Sequence, residues 1–445
     1  MAATTLPSGT SIVQDLPFKW PVQGAIFIIG GLGFMFDAWD VTLNGALIPL
    51  VAEEWGLDRS TAALLGTSNL VGMALGAFIW GGIADRFGRK NAFSLTLLMF
   101  ALFTVLGALS PNFGWFVAFR FLAGMGLGGC IPVDYALVGE FTPARLRGKV
   151  LTAMDGWWPV GAAASFFVSG WVMSTTGNWR LILAVMILPA FVVYAVRRNV
   201  PESPLYLASK GREAEARAVI DQLVLRTGAQ PREYLVHPVP AARAGRLWEQ
   251  VAGLWRYSWQ VTLTSWLLFV TVLLVYYLAL TWLPSILIEA GMEQSASFIA
   301  TAGMALMGLL GVVIAAVLVE RVGRKLILAA AAPLAGILLV VVALSLETPK
   351  AALAWILVFG AVVQVAIPVL YTYVSELYPT QLRASGFGWA SAMSRLSAGF
   401  GPLLFAALWP VTGLPWLFAG ATVLVLLAIV VMSRLAPEMQ GRNLD

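Results

Sequence analysis

An all-α membrane protein with twelve transmembrane helices in two six-helix halves, both termini cytoplasmic, is the fold class that this sequence predicts. Three observations carry it. Of 445 residues, 59% are hydrophobic and 11% are charged, against roughly 25% charged in a soluble domain. The charges fall in short clusters, and the apolar runs between them are long enough to cross a hydrocarbon core of about 30 Å at about 1.5 Å per residue. Loop motifs of the first half return in the second at a nearly constant offset.

The runs follow in order. Residues 22 to 51 hold Asp37, Asp40 and Asn44 among apolar neighbours, and 61 to 84 lead into Asp85 and a Gly-Arg-Lys loop. The run 91 to 110 is uncharged, 113 to 139 holds Arg120 and Asp134, 150 to 174 holds Asp155, and 179 to 197 ends in a basic pair. In the second half, 260 to 288, 297 to 319, 326 to 346 and 351 to 375 carry no charge, 386 to 409 surrounds Arg395, and 413 to 434 ends on Arg434. Helices are required, because unpaired backbone groups are too costly in lipid and a barrel would show shorter, alternating strands.

Basic residues orient the chain. The N-terminus, the loops near 85 to 90, 140 to 149, 197 to 256, 320 to 325 and 376 to 384, and the C-terminus hold 23 Lys or Arg, while the opposite loops hold three, Arg59, Arg180 and Lys350. The first group therefore lies in the cytoplasm, with the chain in the cell (inner) membrane. The net charge of +5 is a topology signal and implies no nucleic-acid partner. One cysteine, Cys130, excludes an internal disulfide and a cysteine zinc cluster, and reads as a small packing residue. The one histidine, His237, falls in the long loop, so a titrating group inside the membrane must be a carboxylate. The first run is too long and too acidic for a cleavable signal peptide. Gly124, Gly126 and Gly129 spell G-x-G-x-x-G, but without a preceding strand they read as close helix packing, not as a dinucleotide site. No Walker sequence is present; the composition excludes a soluble enzyme, no cofactor or metal is expected, and energy for moving a solute would come from a gradient.

Gly88-Arg89-Lys90 recurs as Gly323-Arg324-Lys325, and Asp85 as Glu320, at an offset of 235 (320 − 85). Glu140, Pro143 and Arg147 recur as Glu376, Pro379 and Arg383 at an offset of 236 (376 − 140). The chain thus divides into a half at 1–198, a cytoplasmic linker with short amphipathic helices at 199–256, and a half at 257–445. Such parallel repeats place a cavity at their interface near the midplane.

GGIADRFGRK at 81 to 90 resembles the loop signature of the major facilitator superfamily, and RFLAGMGLGG at 120 to 129, PESP at 201 to 204 and ELYPTQLRASG at 376 to 386 resemble its sugar-porter-related branch. Asp37-Ala-Trp-Asp40 with Arg120 is similar to the proton symporters of aromatic acids and niacin and to their synaptic-vesicle relatives, with Ala38 where the aromatic-acid symporters usually carry Gly. The resemblance implies a secondary active transporter, a proton symporter of a small aromatic or pyridine carboxylate. Its partners would be that solute, protons and the bilayer, and the chain would act as a monomer. An exporter or uniporter of a sugar or organic cation, or a non-transporting ligand sensor, is the alternative.

Asp37, Asp40 and Asn44, at i, i+3 and i+7, share a face of the first helix. A charge at mid-bilayer costs about 2.5–3.5 kcal/mol, so Arg120 is expected to pair with one acid and leave the other free to take a proton; a fixed ion pair between two helices is the plainer alternative. Arg395 has no acid at its depth in its own half, and either takes a substrate carboxylate or pairs with Asp155 or Asp134; Arg120 is the other candidate for that carboxylate, with Asn44 a further substrate contact. Asp155 and Asp134 are further proton-coupling candidates or structural acids. Tyr276, Tyr277, Tyr371, Trp389, Trp157 and Trp158 are candidates to line a pocket for a flat ring, and Gln364 needs polar partners inside the bundle. Asp85, Arg89, Glu140 and Arg147, with Glu320, Arg324, Glu376 and Arg383 in the second half, form the expected conformational latch.

Overall fold

The computed structural model describes residues 7–236 and 247–439; His237 lies outside them. The chain is helical, and the one β-bridge among the described residues joins Ser8 to Leu235. A short α1 (Gly9–Asp15) precedes α2 (Ala25–Trp55), which a π turn at Trp20–Gly24 introduces. Then come α3 (Arg59–Phe87), α4 (Arg89–Ala108), α5 (Phe113–Leu127), α6 (Cys130–Phe141), α7 (Ala144–Met154), α8 (Trp157–Thr176), α9 (Arg180–Ala184) and α10 (Leu188–Asn199). The segment that follows carries α11 (Pro204–Ser209), α12 (Glu213–Thr227) and α13 (Leu247–Tyr257). Six long helices complete the chain: α14 (Trp259–Glu289), α15 (Gln294–Val322), α16 (Arg324–Leu344), α17 (Pro349–Leu377), α18 (Thr380–Thr412) and α19 (Leu414–Leu435).

Local chemistry sets these limits. Asp58, Asn112 and Ser258 accept backbone N–H bonds at the starts of α3, α5 and α14, and Gly56 and Gly177, with φ of 61° and 63°, end α2 and α8 in the left-handed conformation that glycine adopts without strain. Seven helices among the described residues are long and apolar enough to cross a membrane: Trp20–Trp55, Arg89–Ala108, Trp259–Glu289, Gln294–Val319, Arg324–Leu344, Pro349–Leu377 and Leu414–Leu435. Of the other five expected runs, 61–84 and 386–409 fall within the continuous helices α3 and α18, and three are interrupted. Residues 113 to 139 form two helices, because the chain turns at Gly128–Gly129, where a methyl group would lie 2.0 Å from the Met73 carbonyl oxygen and 2.2 Å from Trp80 Cβ. Residues 150 to 174 divide between α7 and α8 at Asp155–Gly156, and 179 to 197 are interrupted by a 3₁₀ turn at Val185–Ile187.

Small residues let the helices meet backbone to backbone. Along α3 and α5, a methyl group on Gly72, Gly76 or Gly124 would sit 2.1 to 2.2 Å from the carbonyl oxygens of Phe121, Met125 and Asn69, so the glycines of the G-x-G-x-x-G string are packing positions. Gly45 brings α2 onto the Leu280 carbonyl of α14, and Gly161 brings α8 onto the Met35 carbonyl of α2. Contacts of α2 with α14, α3 with α18 and α8 with α15 join the helices before residue 200 to those after 258. At one end of the bundle Arg59 and Glu289 form an ion pair.

The repeated loops have matching structures. Gly88 and Gly323 take φ of 99° and 93° ahead of α4 and α16. Arg89 lies 3.7 Å from Glu140, and Arg324 makes two 3.1 Å bonds to Glu376. A third repeat is hidden in the sequence. Glu202 accepts from the N–H groups of Arg89 and Lys90, and Glu438 accepts from those of Arg324 and Lys325, an offset of 236 (438 − 202). Each carboxylate thereby satisfies orphan donors at a helix N-terminus. Arg147 instead donates to the Gly139 carbonyl, at 3.0 Å, and Nε and Nη2 of Arg383 are buried without a partner among the described residues. The side chains of Asp85 and Glu320 lie outside the described ones.

Candidate functional site

The α2 helix brings three polar side chains into the core of the bundle on one face: Asp37 and Asp40 are fully buried, and Asn44 is 2% exposed. From α5, buried Arg120 places Nη1 at 2.5 Å from Asp40 Oδ1 and Nη2 at 2.9 Å from Asn44 Oδ1 and 3.2 Å from the Asp40 carbonyl. Asn69, on α3, closes the circuit. Its Nδ2 donates to Asp40 Oδ2 at 2.9 Å and to the Arg120 carbonyl at 3.2 Å, while its Oδ1 accepts from Asn44 at 3.3 Å. Asn69 reaches this far because Gly124 lets α5 lie directly on its carbonyl. Both oxygens of Asp40 are therefore satisfied, as a buried carboxylate requires.

Asp37, one turn away, is not. Neither of its oxygens has a hydrogen-bond partner among the described residues. The charges that act on it are those of Arg395, across the interface on α18, and of Asp40 on its own helix, and Asp37 in turn acts on Asp134. Arg395 is half-buried, and its charge is also felt by Tyr277 and Tyr371. Arg395 thus stands in the electrostatic field of an acid carried by α2. Asp134 is fully buried, faces α2 at Gly33 and accepts a bond from the Cys130 thiol at 3.4 Å, while Oδ1 has no partner among the described residues.

Beside Arg395 lies an aromatic and amide group. Tyr276 Oη accepts from Trp158 Nε1 at 3.2 Å and from Gln364 Nε2 at 3.0 Å, which ties α8, α14 and α17 together. The Tyr277 ring centroid is 6.0 Å from that of Tyr276 and 6.3 Å from that of Trp158. Tyr371 stacks on Phe269 at 5.3 Å, with Phe387 edge-on at 5.5 Å, and Asp155 acts on it electrostatically. Gln364 reaches Tyr276 past Gly308 and Gly311, where a side chain on α15 would block it. Trp157 is separate: it wedges against Gly31 and Phe27 of α2. Trp389 is half-buried against the core.

Sequence reading did not single out Asn69, although it is the one asparagine in an otherwise apolar run, the same signal that marked Gln364. It also missed Glu202 and Glu438, whose partners are backbone groups.

Residues 25–445 match the family model described as Sugar (and other) transporter. The chain is 34% identical to the niacin transporter NiaP of Acinetobacter baylyi, with 98% of each chain covered. It is 31% identical to the 4-hydroxybenzoate transporter PcaK of the same organism, over 89% of this chain and 87% of that one, and 29% identical to its benzoate transport protein, over 87% and 83%. Among solved structures, the crystal structure of a D-xylose-proton symporter aligns with a TM-score of 0.75 at 19% identity, covering 95% of this chain and 99% of that one. An inward-open conformation of the xylose transporter XylE from E. coli aligns with a TM-score of 0.76 at 18% identity, covering 95% and 98%.

Proposed function

The chain belongs to the Sugar (and other) transporter family of membrane transporters, and from that premise we propose that it is a proton-coupled symporter of a small aromatic or pyridine carboxylate. It is a transporter and not an enzyme. In this reading the twelve runs all cross the membrane, in two six-helix halves at 1–198 and 257–445, with both termini in the cytoplasm. The end that carries Arg59 then lies outside. The relatives named for niacin, 4-hydroxybenzoate and benzoate transport support a flat monocarboxylate as the solute.

The observation that carries the proposal is Asp37, buried, without a hydrogen-bond partner among the described residues, and within the field of Arg395 on the opposite half. An anionic solute arriving at Arg395 competes with Asp37 for the guanidinium. A proton on Asp37 ends that competition, frees the planar fork of Arg395 for a carboxylate, and leaves the occupied site without the extra negative charge. Asp40, Asn44, Asn69 and Arg120 hold the neighbouring charge pair in place. Tyr277, Tyr371 and Trp158 offer ring faces to the solute, Asp134 and Asp155 are the next acids on the proton's route, and the Arg89–Glu140 and Arg324–Glu376 pairs, with Asp85, Glu320, Arg147 and Arg383, set the balance between conformations.

Proteoliposomes with an inside-alkaline interior test this directly. Radiolabelled benzoate or pyridine-3-carboxylate should accumulate, and a proton ionophore should abolish the accumulation. Arg395→Lys keeps the charge but loses the fork, and should weaken the binding of either acid by about 5- to 150-fold, the equivalent of about 1–3 kcal/mol. A variant that binds both acids like the wild type would remove Arg395 from the site.

A further inference from the structure

Tyr276, Trp158 and Gln364 hold more donors than they use. An indole offers one N–H, a phenol one O–H and a primary amide two N–H. The two bonds that join the three side chains, Trp158 Nε1 to Tyr276 Oη and Gln364 Nε2 to Tyr276 Oη, consume one donor from Trp158 and one from Gln364. The Tyr276 oxygen accepts both, so both of its lone pairs are occupied and its own proton must point elsewhere. Turning the Gln364 amide over would spend the Tyr276 proton on the amide oxygen, so the stranded phenol donor belongs to the orientation seen here, with Gln364 Nε2 on Tyr276 Oη. In this orientation one donor on Tyr276 and one on Gln364 remain unused, on side chains that are 2% and 4% exposed. No acceptor for the Tyr276 proton is present among the described residues, and no basic side chain competes for it. Trp158 and Tyr277 adjoin Tyr276, Arg395 and Tyr371 lie within electrostatic reach of Tyr277, and all four are still partly accessible.

We propose that Tyr276, oriented by Trp158 and Gln364, is the specificity-determining residue for the solute's ring: it donates its hydroxyl proton to a ring acceptor and so selects a nitrogen heteroaromatic carboxylate over a carbocyclic one. This rests on the carboxylate reading above, with Arg395 taking the acid and the Tyr276 group reading the ring beside it. A pyridine nitrogen satisfies the stranded donor. A C–H edge of the same size leaves it unpaired in a buried setting, and that penalty is the source of the discrimination. The count of bonds also explains why three helices contribute: two fixed donors on one oxygen lock the phenol in a single orientation, which a lone tyrosine would not keep.

The experiment measures binding of pyridine-3-carboxylate, benzoate and neutral pyridine-3-carboxamide to the purified full chain in nanodiscs, by isothermal titration. The wild type should prefer pyridine-3-carboxylate to benzoate by about tenfold. Tyr276→Phe should bring that ratio close to one while benzoate affinity holds, and should weaken the carboxamide as well. Gln364→Leu, which unlocks the phenol without removing it, should reduce the ratio part of the way and covers the case in which Tyr276→Phe does not fold. Parallel loss of both acids in these variants, or a wild type that binds them equally, overturns the inference and leaves the carboxylate reading standing. If the wild type takes neither acid, the carboxylate reading falls. The ring assignment is then decided by the carboxamide alone: Tyr276-dependent binding supports it, and Tyr276-independent binding or none overturns it.

Discussion

Arg59 and Glu289, 230 positions apart, share two hydrogen bonds of 3.0 and 2.6 Å, and the same guanidinium lies over the Trp409 ring at 4.4 Å from its centroid. Three helices, α3, α14 and α18, are thereby fastened at one end of the bundle. The two side chains are 39% and 43% exposed, so solvent and salt screen the pair and its contribution is about 0–1 kcal/mol. For a protein poised between two conformations that is enough to move the populations by up to about fivefold. Glu289→Gln should therefore raise the fraction open at this end, and high salt should do the same to the wild type. Double electron–electron resonance between spin labels at this end of α3 and α14 reads the change; identical distance distributions would show that the pair fastens nothing.

The Asp40–Arg120 pair is a different case, because both side chains are fully buried. Removing one partner leaves the other charge uncompensated, so Arg120→Met or Asp40→Asn should each cost about 3–5 kcal/mol. The double variant should recover a large part of that loss. Unfolding of the purified protein in denaturant supplies the double-mutant cycle, and strictly additive losses would mean that the two charges are not coupled.

Asp37→Asn tests the proposed proton coupling apart from solute binding. Uptake driven by the pH gradient should be lost, while counterflow exchange, which needs no net proton movement, should persist. Gradient-driven accumulation at the wild-type level would shift the proton to Asp134 or Asp155, and Asp134→Asn is then the next variant to assay.

Asp58 gives a prediction outside the membrane. The Thr61 hydroxyl and the backbone N–H groups of Thr61 and Ser60 hold its carboxyl below the usual carboxylate range. A depressed acid stabilises the fold above its unfolded-state pKa, and the contribution disappears as pH falls through the lower, folded value. Melting temperature should decline on the acid side of that window, and Asp58→Asn, a neutral residue that still caps a helix, should flatten this part of the profile. A decline as steep in Asp58→Asn as in the wild type would assign it to other groups.

Much of this was legible from residue spacing. The i, i+3, i+7 placement of Asp37, Asp40 and Asn44 put them on one buried face, and Arg120 met Asp40, because a helix converts spacing into direction and a buried charge needs a partner. What spacing does not convey is which of two acids wins the arginine. That depends on Asn69, which arrives from another helix and completes the coordination of Asp40, leaving Asp37 to Arg395. Breaks inside runs were equally hidden. Gly128 and Gly129 look like any other small residues in an apolar stretch, and only the arrival of Met73 and Trp80 at those positions makes them the place where the helix ends. Glu202 and Glu438 bind backbone N–H groups, and backbone leaves no trace in residue identity.

The interruptions at Gly128–Gly129, Asp155–Gly156 and Val185–Ile187 all precede residue 200, whereas α14, α16, α17 and α18 continue through internal prolines, Pro284, Pro333, Pro368, Pro402 and Pro410. An interrupted i to i−4 ladder bends more readily than a continuous one, and a proline also removes one bond of that ladder, so both sets of helices carry places to bend. Arg120 lies on one side of the first joint, and Asp134 and Glu140 lie on the other. The buried charge circuit can then stay clamped while the segment beyond the joint bends.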